Sequence, residues 1–447
     1  MKIKLLFTIL FLSNLVFSQE EVPFSIRFKD YLRGDLTFIA NNIVNQNNGK
    51  KTDEAYNKQG ENSERNDDLN MSYIDIDNDK STFSSSSAIF KPTENTKEIV
   101  FAGLYWSATY NYPLSFKDNG FYSHEGDRKS NFNEIKIKIP SQKDYSDITG
   151  QIIFDGFNNE KYNNNMPYVC FYDLTKMVKS NPYGEYTVAN IRSTEGYIEG
   201  GVSGGWILYF VYKDDKANER YITLYDGFAS VYDMPIEIKL TDFQTPKTGI
   251  FNSKISLAAL EGDANIDGDK VSIKNTSSNT YFPLSSKNRN SQNLFNSQIT
   301  IENEQFLDRN PASLNTLGFD ALLISLDNQN NQIINNSTTQ SELKIESLGD
   351  KSYLFSVGFM IDVDKEFYTK ITKSPILGNN KPITEQRKKT IKTIKTTKPK
   401  NNVTNIKIIV KEILPSVKDN DDDFDFESVE KTLNDTVKLA NKTKLPF

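Results

Sequence analysis

The sequence predicts an all-β protein, with a large or tandem antiparallel β-sandwich body and a mostly disordered, charged C-terminal tail that carries a short helix. Three observations lead to this fold class. Several segments alternate apolar and polar residues, other segments are apolar at every position, and no stretch of ten or more residues between 90 and 375 shows strong helical periodicity with caps at both ends. Short strands at this spacing are typical of sandwiches.

Residues 1–18 have the features of a secretory signal peptide. Lys2 and Lys4 precede an apolar run from Leu5 to Phe17, and Ser18 follows it. The run is shorter than the roughly 20 apolar residues of a membrane-spanning helix, and no later segment approaches that length. We therefore expect an extracytoplasmic protein without a transmembrane span. Its expected place is the cell surface or the outer membrane, with a periplasmic-facing position as the alternative.

We expect three regions in the rest of the chain. Residues 19–200 form a first β-sandwich region, and residues 201–370 form either a second sandwich or a continuation of the first. Residues 371–447 form the charged tail, with a short strand and a helix. The formal net charge of −6 gives no reason to expect a nucleic-acid partner, which would require a basic stripe on the folded body.

Strand patterns of two kinds support the sandwich. Alternating isoleucines and lysines at 135–139, and similar alternation at 236–240 and 343–346, predict strands with one face in water. In residues 99–106 and 206–212, both the odd-numbered and the even-numbered positions are apolar. Successive residues of a strand point to opposite faces, so this pattern predicts central strands covered on both faces. Residues 174–179 suit a short turn of helix.

Glycines mark three features of these strands. Gly103, inside an apolar strand, indicates a bulge or a close backbone approach. Gly204 and Gly205 before Trp206 indicate a tight turn that needs positive φ. Asp226-Gly227 indicates a hairpin turn.

One acidic segment resembles the first half of a calcium-binding EF-hand loop. Oxygen-bearing side chains occupy alternate positions, with a glycine at the sixth: Asp263, Asn265, Asp267, Gly268 and Asp269. The bidentate glutamate of the twelfth position is replaced by Lys274. Calcium binding by Asp263, Asn265, Asp267 and Asp269 is therefore one interpretation, and ordinary Asx turns are the other.

Catalytic side chains are scarce. His124 is the single histidine and Cys170 the single cysteine, so no catalytic triad, no histidine-rich zinc site and no internal disulfide can be built. We expect His124 to lie in a polar loop and Cys170 to be a small buried hydrophobe. We predict that the protein is not an enzyme, and a hydrolase with a pair of carboxylates distant in sequence, as in glycoside hydrolases, is the alternative.

Aromatic residues make up 12% of the chain. Packing of a sandwich core is the favoured role for them, and stacking on carbohydrate is the alternative.

The tail has two charge blocks. Residues 381–418 contain eleven Lys or Arg and two Glu, whereas residues 419–430 contain seven acids and no base. Such blocks are usually solvated. Five apolar residues then share one helical face, which we interpret as a surface that folds against a partner protein, a frayed solvated helix being the alternative. They are Phe426, Val429, Leu433, Val437 and Ala440.

A series of motifs in a fixed order resembles the N-terminal domain of large gliding-motility surface adhesins of Gram-negative gliding bacteria. The match covers roughly residues 25–365. It consists of Ser85-Ser86-Ser87-Ala88, Ala102–Trp106, Tyr168–Thr175, Tyr186–Asn190, Gly204-Gly205-Trp206, Asp226-Gly227-Phe228, Glu261-Gly262-Asp263 with Gly268-Asp269, Asn293–Ser297 and Asn315–Asp320.

The resemblance implies a β-rich extracytoplasmic domain, export by the gliding-linked type IX secretion route, and a role in adhesion or motility. The chain has no long repeat array and no clear C-terminal sorting domain, so it is more similar to an accessory protein of the mobile adhesin. The implied partners are a surface adhesin and its outer-membrane anchor. The alternatives are a stand-alone calcium- or carbohydrate-binding adhesin module and a carboxylate-based glycoside hydrolase.

Overall fold

A computed structural model describes residues 20–373, apart from residues 50, 60–62, 92, 94, 95, 158 and 233. The signal peptide and the tail beyond residue 373 lie outside the described residues. So do the five apolar residues of the expected tail helix. The described residues belong to one compact unit.

An eleven-stranded sheet forms the centre of this unit, with strands numbered along the chain. In spatial order it contains β10 (Gln151–Asp155), β11 (Pro167–Asp173), β5 (Thr96–Thr109), β14 (Gly204–Asp214), β1 (Glu20–Asn42), β15 (Glu219–Val231), β25 (Ser352–Asp362), β17 (Ser253–Gly262), β23 (Gly318–Ser325), β20 (Ile299–Ile301) and β21 (Glu304–Gln305).

Two outer sheets cover the long sheet. The first contains β22 (Arg309–Asn310), β4 (Ser85–Phe90), β12 (Gly184–Ala189), β8 (Glu134–Lys138) and β9 (Ser146–Thr149). The second contains β16 (Ile236–Leu240), β24 (Ser341–Ser347), β18 (Asp269–Asn275) and β19 (Thr280–Pro283).

A small sheet lies beside the sandwich that the first outer sheet forms with the long sheet. It contains β2 (Val44–Gln46), β3 (Met71–Tyr73), β13 (Glu195–Gly196), β6 (Leu114–Asp118) and β7 (Phe121–Glu125). Among the described strands, neighbours are antiparallel apart from β13 with β6 and β20 with β23. The all-β antiparallel prediction is therefore confirmed.

Helices are short. Single 3-10 turns occupy Asn66–Asp68, Glu160–Tyr162 and Gln329–Asn331, and α-helical segments occupy Thr175–Val178 and Lys365–Lys373. The turn expected at 174–179 is thus present. The helix Lys365–Lys373 was not predicted. Asp364 is its N-cap residue and accepts the backbone N–H groups of Glu366 and Phe367, each at 3.0 Å.

The long sheet folds over on itself, so the body has four layers. The Phe154 ring of β10 stacks on Phe228 of β15 at 3.7 Å between centroids. The Tyr209 hydroxyl of β14 lies 3.0 Å from the Ser356 hydroxyl of β25. The half of the sheet that contains β14 therefore packs face to face with the half that contains β25, and each half carries an outer sheet on its other face.

This layering explains the strands that are apolar on both faces. Alternate residues of β14, beginning with Trp206, pack into the core beneath the first outer sheet. The residues between them, beginning with Ile207, pack into the core between the two halves of the long sheet. The two-sided prediction for 99–106 and 206–212 is thus confirmed, as is the half-exposed alternation of Ile236–Leu240.

Each half of the long sheet forms a sandwich with its outer sheet, and the two sandwiches share strands from both sides of residue 200, the boundary suggested by the sequence. β1 pairs with β14 over its second part and with β15 over its first part, so it runs through both halves. β14, which follows residue 200 in the chain, completes the first sandwich beside β5.

Both turn predictions are wrong, and Gly103 is approached by side chains instead of by backbone. Asp226 and Gly227 lie inside β15 at a register shift, where a Cβ on Gly227 would meet the Val22 carbonyl oxygen at 2.5 Å. Gly205 lies inside β14, and its missing side chain makes room for the Phe319 ring. At Gly103 a Cβ would lie 2.6 Å from the Phe101 ring, so aromatic side chains, and not another backbone, approach this glycine closely.

Candidate functional site

A cleft of about 330 Å³ opens where loops of both sandwiches meet, beyond the end of β17. We call it the acidic cleft. Its lining combines carboxyl groups with three cationic side chains, several amides and a tyrosine: Arg65, Asn66, Asp67, Lys161, Asn164, Asn165, Glu199, Gly200, Glu261, Asp263, Ile266, Asp350, Lys351 and Tyr353.

Glu261 is placed in the cleft by an irregularity of β17. The pairing of β17 with β23 shifts register between Leu260 and Gly262, and Glu261 adopts a φ of 68°, which is rare for a residue with a side chain. Its carboxylate accepts hydrogen bonds from the Ser203 hydroxyl and, at 3.2 Å, from the Asn66 amide. Burial raises the pKa of Glu261 well above its ordinary value.

Asp263 and Asp350 are in contact beside it. Asp350 Oδ2 accepts the backbone N–H of Asp263 at 2.8 Å, and both side chains are buried. Burial raises the pKa of both carboxyl groups, and repulsion from neighbouring carboxylates adds to this effect. Each of these carboxyl groups therefore keeps its proton to a higher pH than an exposed aspartate does, and carboxyl groups with raised pKa values are common at functional sites.

The structure separates the four residues proposed for calcium. Asp263 and Asp269 are buried, whereas Asn265 and Asp267 are exposed. The Asn265 amide donates to the Ser63 carbonyl oxygen at 3.1 Å. Gly268 has a positive φ of 133°.

Asp269 is the first residue of β18, and one oxygen of its carboxylate is hydrogen-bonded to the backbone. Its Oδ2 accepts the Phe295 backbone N–H at 2.6 Å, and burial raises its pKa to about 7. Within the described residues, no group of three or more His, Cys, Asp or Glu side chains is arranged to hold a metal ion. Calcium binding at 263–269 stays a prediction.

A second feature is the exposed hairpin of β6 and β7. β7 is the last strand of the small sheet, and all five of its residues are exposed. Phe116 is 46% exposed and Phe121 is 79% exposed. Phe116 pairs with Ser123, two residues from Phe121, so both phenylalanines lie on the same face of the hairpin.

The single histidine and the single cysteine of the chain lie in different surroundings. His124 lies in β7, where it stacks on Tyr112 with centroids 3.5 Å apart, so the loop expected for it is wrong. Cys170 is fully buried in β11, as expected, and burial raises the pKa of its thiol.

Glu261 and Asp350 were missed as site residues. Glu261-Gly262-Asp263 has the local pattern of a turn, and Asp350 follows Asp263 by 87 positions in the chain, so no local motif joins them. Across the part of the chain that the structure describes, no helix has the length and apolar character needed to cross a membrane.

Comparisons with known proteins add little. No protein-family model matches the chain. No curated protein matches it. Among the solved structures that resemble this chain, three weak likenesses illustrate the range. The major capsid protein P2 of bacteriophage PM2 is 8% identical, covers 74% of this chain and 98% of its own, and has a TM-score of 0.17.

The other two are similarly distant. Recombinant N-glycanase F (PNGase F) is 10% identical, covers 72% of this chain and 96% of its own, and has a TM-score of 0.17. A chain from Sulfolobus turreted icosahedral virus is 8% identical, covers 74% of this chain and 81% of its own, and has a TM-score of 0.14. At these TM-scores the likenesses carry no inference about function.

Proposed function

We propose that this is a non-enzymatic, exported cell-surface protein that supports gliding motility or adhesion by binding other proteins. Its partners would be a surface adhesin or the outer-membrane anchor of that adhesin. The adhesin-like motifs support the biological setting.

The observation that carries the proposal is the exposed hairpin. An edge strand leaves one row of backbone N–H and C=O groups without strand partners, and an extended segment of another protein can pair with them. β7 offers such an edge, and Phe116 and Phe121 add an apolar anchor beside it. Most proteins blunt or cover an edge of this kind, so its exposure together with two large apolar side chains favours a docking role.

The test is complementation of a gene deletion in the natural host, scored by colony spreading on agar and by recovery of the surface adhesin with the purified protein. We expect the wild type to restore both. The variant Phe116→Asp/Phe121→Asp should restore neither, because it places charge on the docking face. A matched control is Ile250→Asp, since Ile250 is 85% exposed elsewhere and should tolerate the change. Full spreading and adhesin recovery with the hairpin variant would rule out docking at this edge.

A second candidate is a hydrolase that uses carboxyl groups. The observation that favours it is that Asp263 and Asp350 lie in contact in a cleft, since a carboxyl that keeps its proton near neutral pH can act as a general acid. Loss of growth on one polysaccharide with normal spreading, reproduced by Asp350→Asn, would support this candidate. The same pocket and loop leave a calcium- or carbohydrate-binding module as a further alternative.

A further inference from the structure

We propose that a second pocket, separate from the acidic cleft and from the exposed hairpin, binds an acidic polysaccharide. It encloses about 330 Å³ beside β3 and β13, and we call it the aromatic pocket. That volume lies at the lower end of ligand pockets and suits one or two sugar rings. The proposal does not depend on the docking of a partner protein at β7.

The apolar walls of the aromatic pocket are aromatic rings held in place by hydrogen bonds. Phe83 is 38% exposed, and its ring meets the Tyr73 ring edge to face at 5.0 Å. The Tyr73 hydroxyl donates to the Ser193 carbonyl oxygen at 2.6 Å and accepts the Ser193 N–H at 2.9 Å. Rigid aromatic faces of this kind are suited to the flat C–H faces of sugar rings, because little side-chain entropy is lost on contact.

The polar groups of the pocket favour an anion. The Arg192 guanidinium lies 5.2 Å from the Phe83 ring centroid, and Lys129 is exposed at the rim. Neither is in an ion pair with another described residue. Glu195, the carboxylate among the lining residues, already accepts hydrogen bonds from the Ser72 hydroxyl at 2.7 Å and from the Tyr73 N–H at 3.4 Å. Two cations are thus available for the carboxylates of uronic acids.

The backbone around the pocket argues against an acidic peptide. β3 is bonded to β2 on one side and to β13 on the other, so it offers no free edge to an extended chain. A ligand must therefore be recognised through side chains. Ring stacking with two carboxylate contacts meets this condition for a uronic-acid oligosaccharide.

The experiment is calorimetric titration of the full chain with an oligogalacturonate of about seven residues at low salt. We expect binding that weakens at least roughly tenfold in Arg192→Gln/Lys129→Gln and severalfold in Phe83→Ala. Controls are Lys239→Gln, an exposed lysine of β16, and Phe121→Ala, which removes the hairpin anchor; both should bind as the wild type does. Thermal melting of each variant checks that it folds.

Salt provides a measurement that needs no variant. Raising NaCl from about 0.05 to 0.5 M should weaken wild-type binding, since the contacts are screened charges. No binding of oligogalacturonate, binding insensitive to salt, or equal binding of neutral cellohexaose would overturn the proposal. Tighter binding of a hexaglutamate peptide would overturn it in favour of a peptide ligand. Phe121→Ala changes the hairpin and leaves the aromatic pocket intact. Loss of polysaccharide binding can therefore be distinguished from loss of partner docking at the hairpin.

Discussion

Removing Asp320 should destabilise the protein strongly, because it would leave a buried guanidinium unpaired. Asp320 Oδ1 accepts a hydrogen bond from Arg289 Nη1 at 2.8 Å, and both side chains are inaccessible to water. Asp320 also accepts the backbone N–H groups of Ser297 and Gln298, each at 3.1 Å. Breaking a buried pair of this kind costs about 3–5 kcal/mol.

The expected loss converts to a modest change in melting temperature, since the folded body is large. Unfolding entropy is about 2.1 cal/mol/K per residue, so a body of about 350 residues has roughly 0.7 kcal/mol/K. Asp320→Ala should therefore lower Tm by roughly 4–7 °C. Differential scanning calorimetry would measure the shift, and urea denaturation would give the free energy of unfolding.

A matched control removes an acid from an exposed pair. Lys287 and Glu304 lie 3.4 Å apart with side chains 67% and 76% exposed. Glu304→Ala should change the free energy of unfolding by less than about 1 kcal/mol. If Asp320→Ala cost no more than Glu304→Ala, the reasoning about the buried pair would be refuted.

Two further predictions concern the acidic cleft and the close packing of the layers. The raised pKa values of Glu261, Asp269 and Asp350 mean that the folded chain holds more protons than the unfolded chain above about pH 4, so stability should fall as the pH rises from about 5 to 7. Asp350→Asn should flatten this fall in urea titrations at pH 5, 6 and 7, and an unchanged slope would contradict the assignment. Gly205→Ala should cost about 1–3 kcal/mol, because its Cβ would lie 2.5 Å from the Phe319 ring; a stability equal to that of the wild type would show that the layers can separate.

The sequence predicted those features that depend on local periodicity. The alternation at 236–240 is that of a half-exposed strand, and the structure has this strand as Ile236–Leu240. The two-sided apolar runs predicted covered strands, although the four-layer arrangement that covers them has no local signature. Asp226-Gly227 shows the limit of such reasoning. The same dipeptide is compatible with a hairpin turn and with a bulge. Asp226 pairs with Arg27, which is 199 positions away in the chain, so no local pattern shows this pairing.

The candidate sites follow the same division. The acidic pattern of the 263–269 loop could be recognised from neighbouring residues, and Gly268 has a positive φ there. The contact between Asp263 and Asp350 depends on how β24 and β25 return to the end of β17. The exposure of β7 depends on its place at the edge of the small sheet. Neither can be read from neighbouring residues.

The course of β1 has a consequence for how the chain acquires its structure. The first strand that the structure describes finds its hydrogen-bonding neighbours about 200 positions later, with Ser25 opposite Asp226 and Gly34 opposite Lys213. Contacts this distant in sequence make folding slow, and these contacts cannot form until the chain has been synthesised beyond Asp226. Because β25 in turn completes the sheet beside β15, the native state forms only after most of the length of the chain is available.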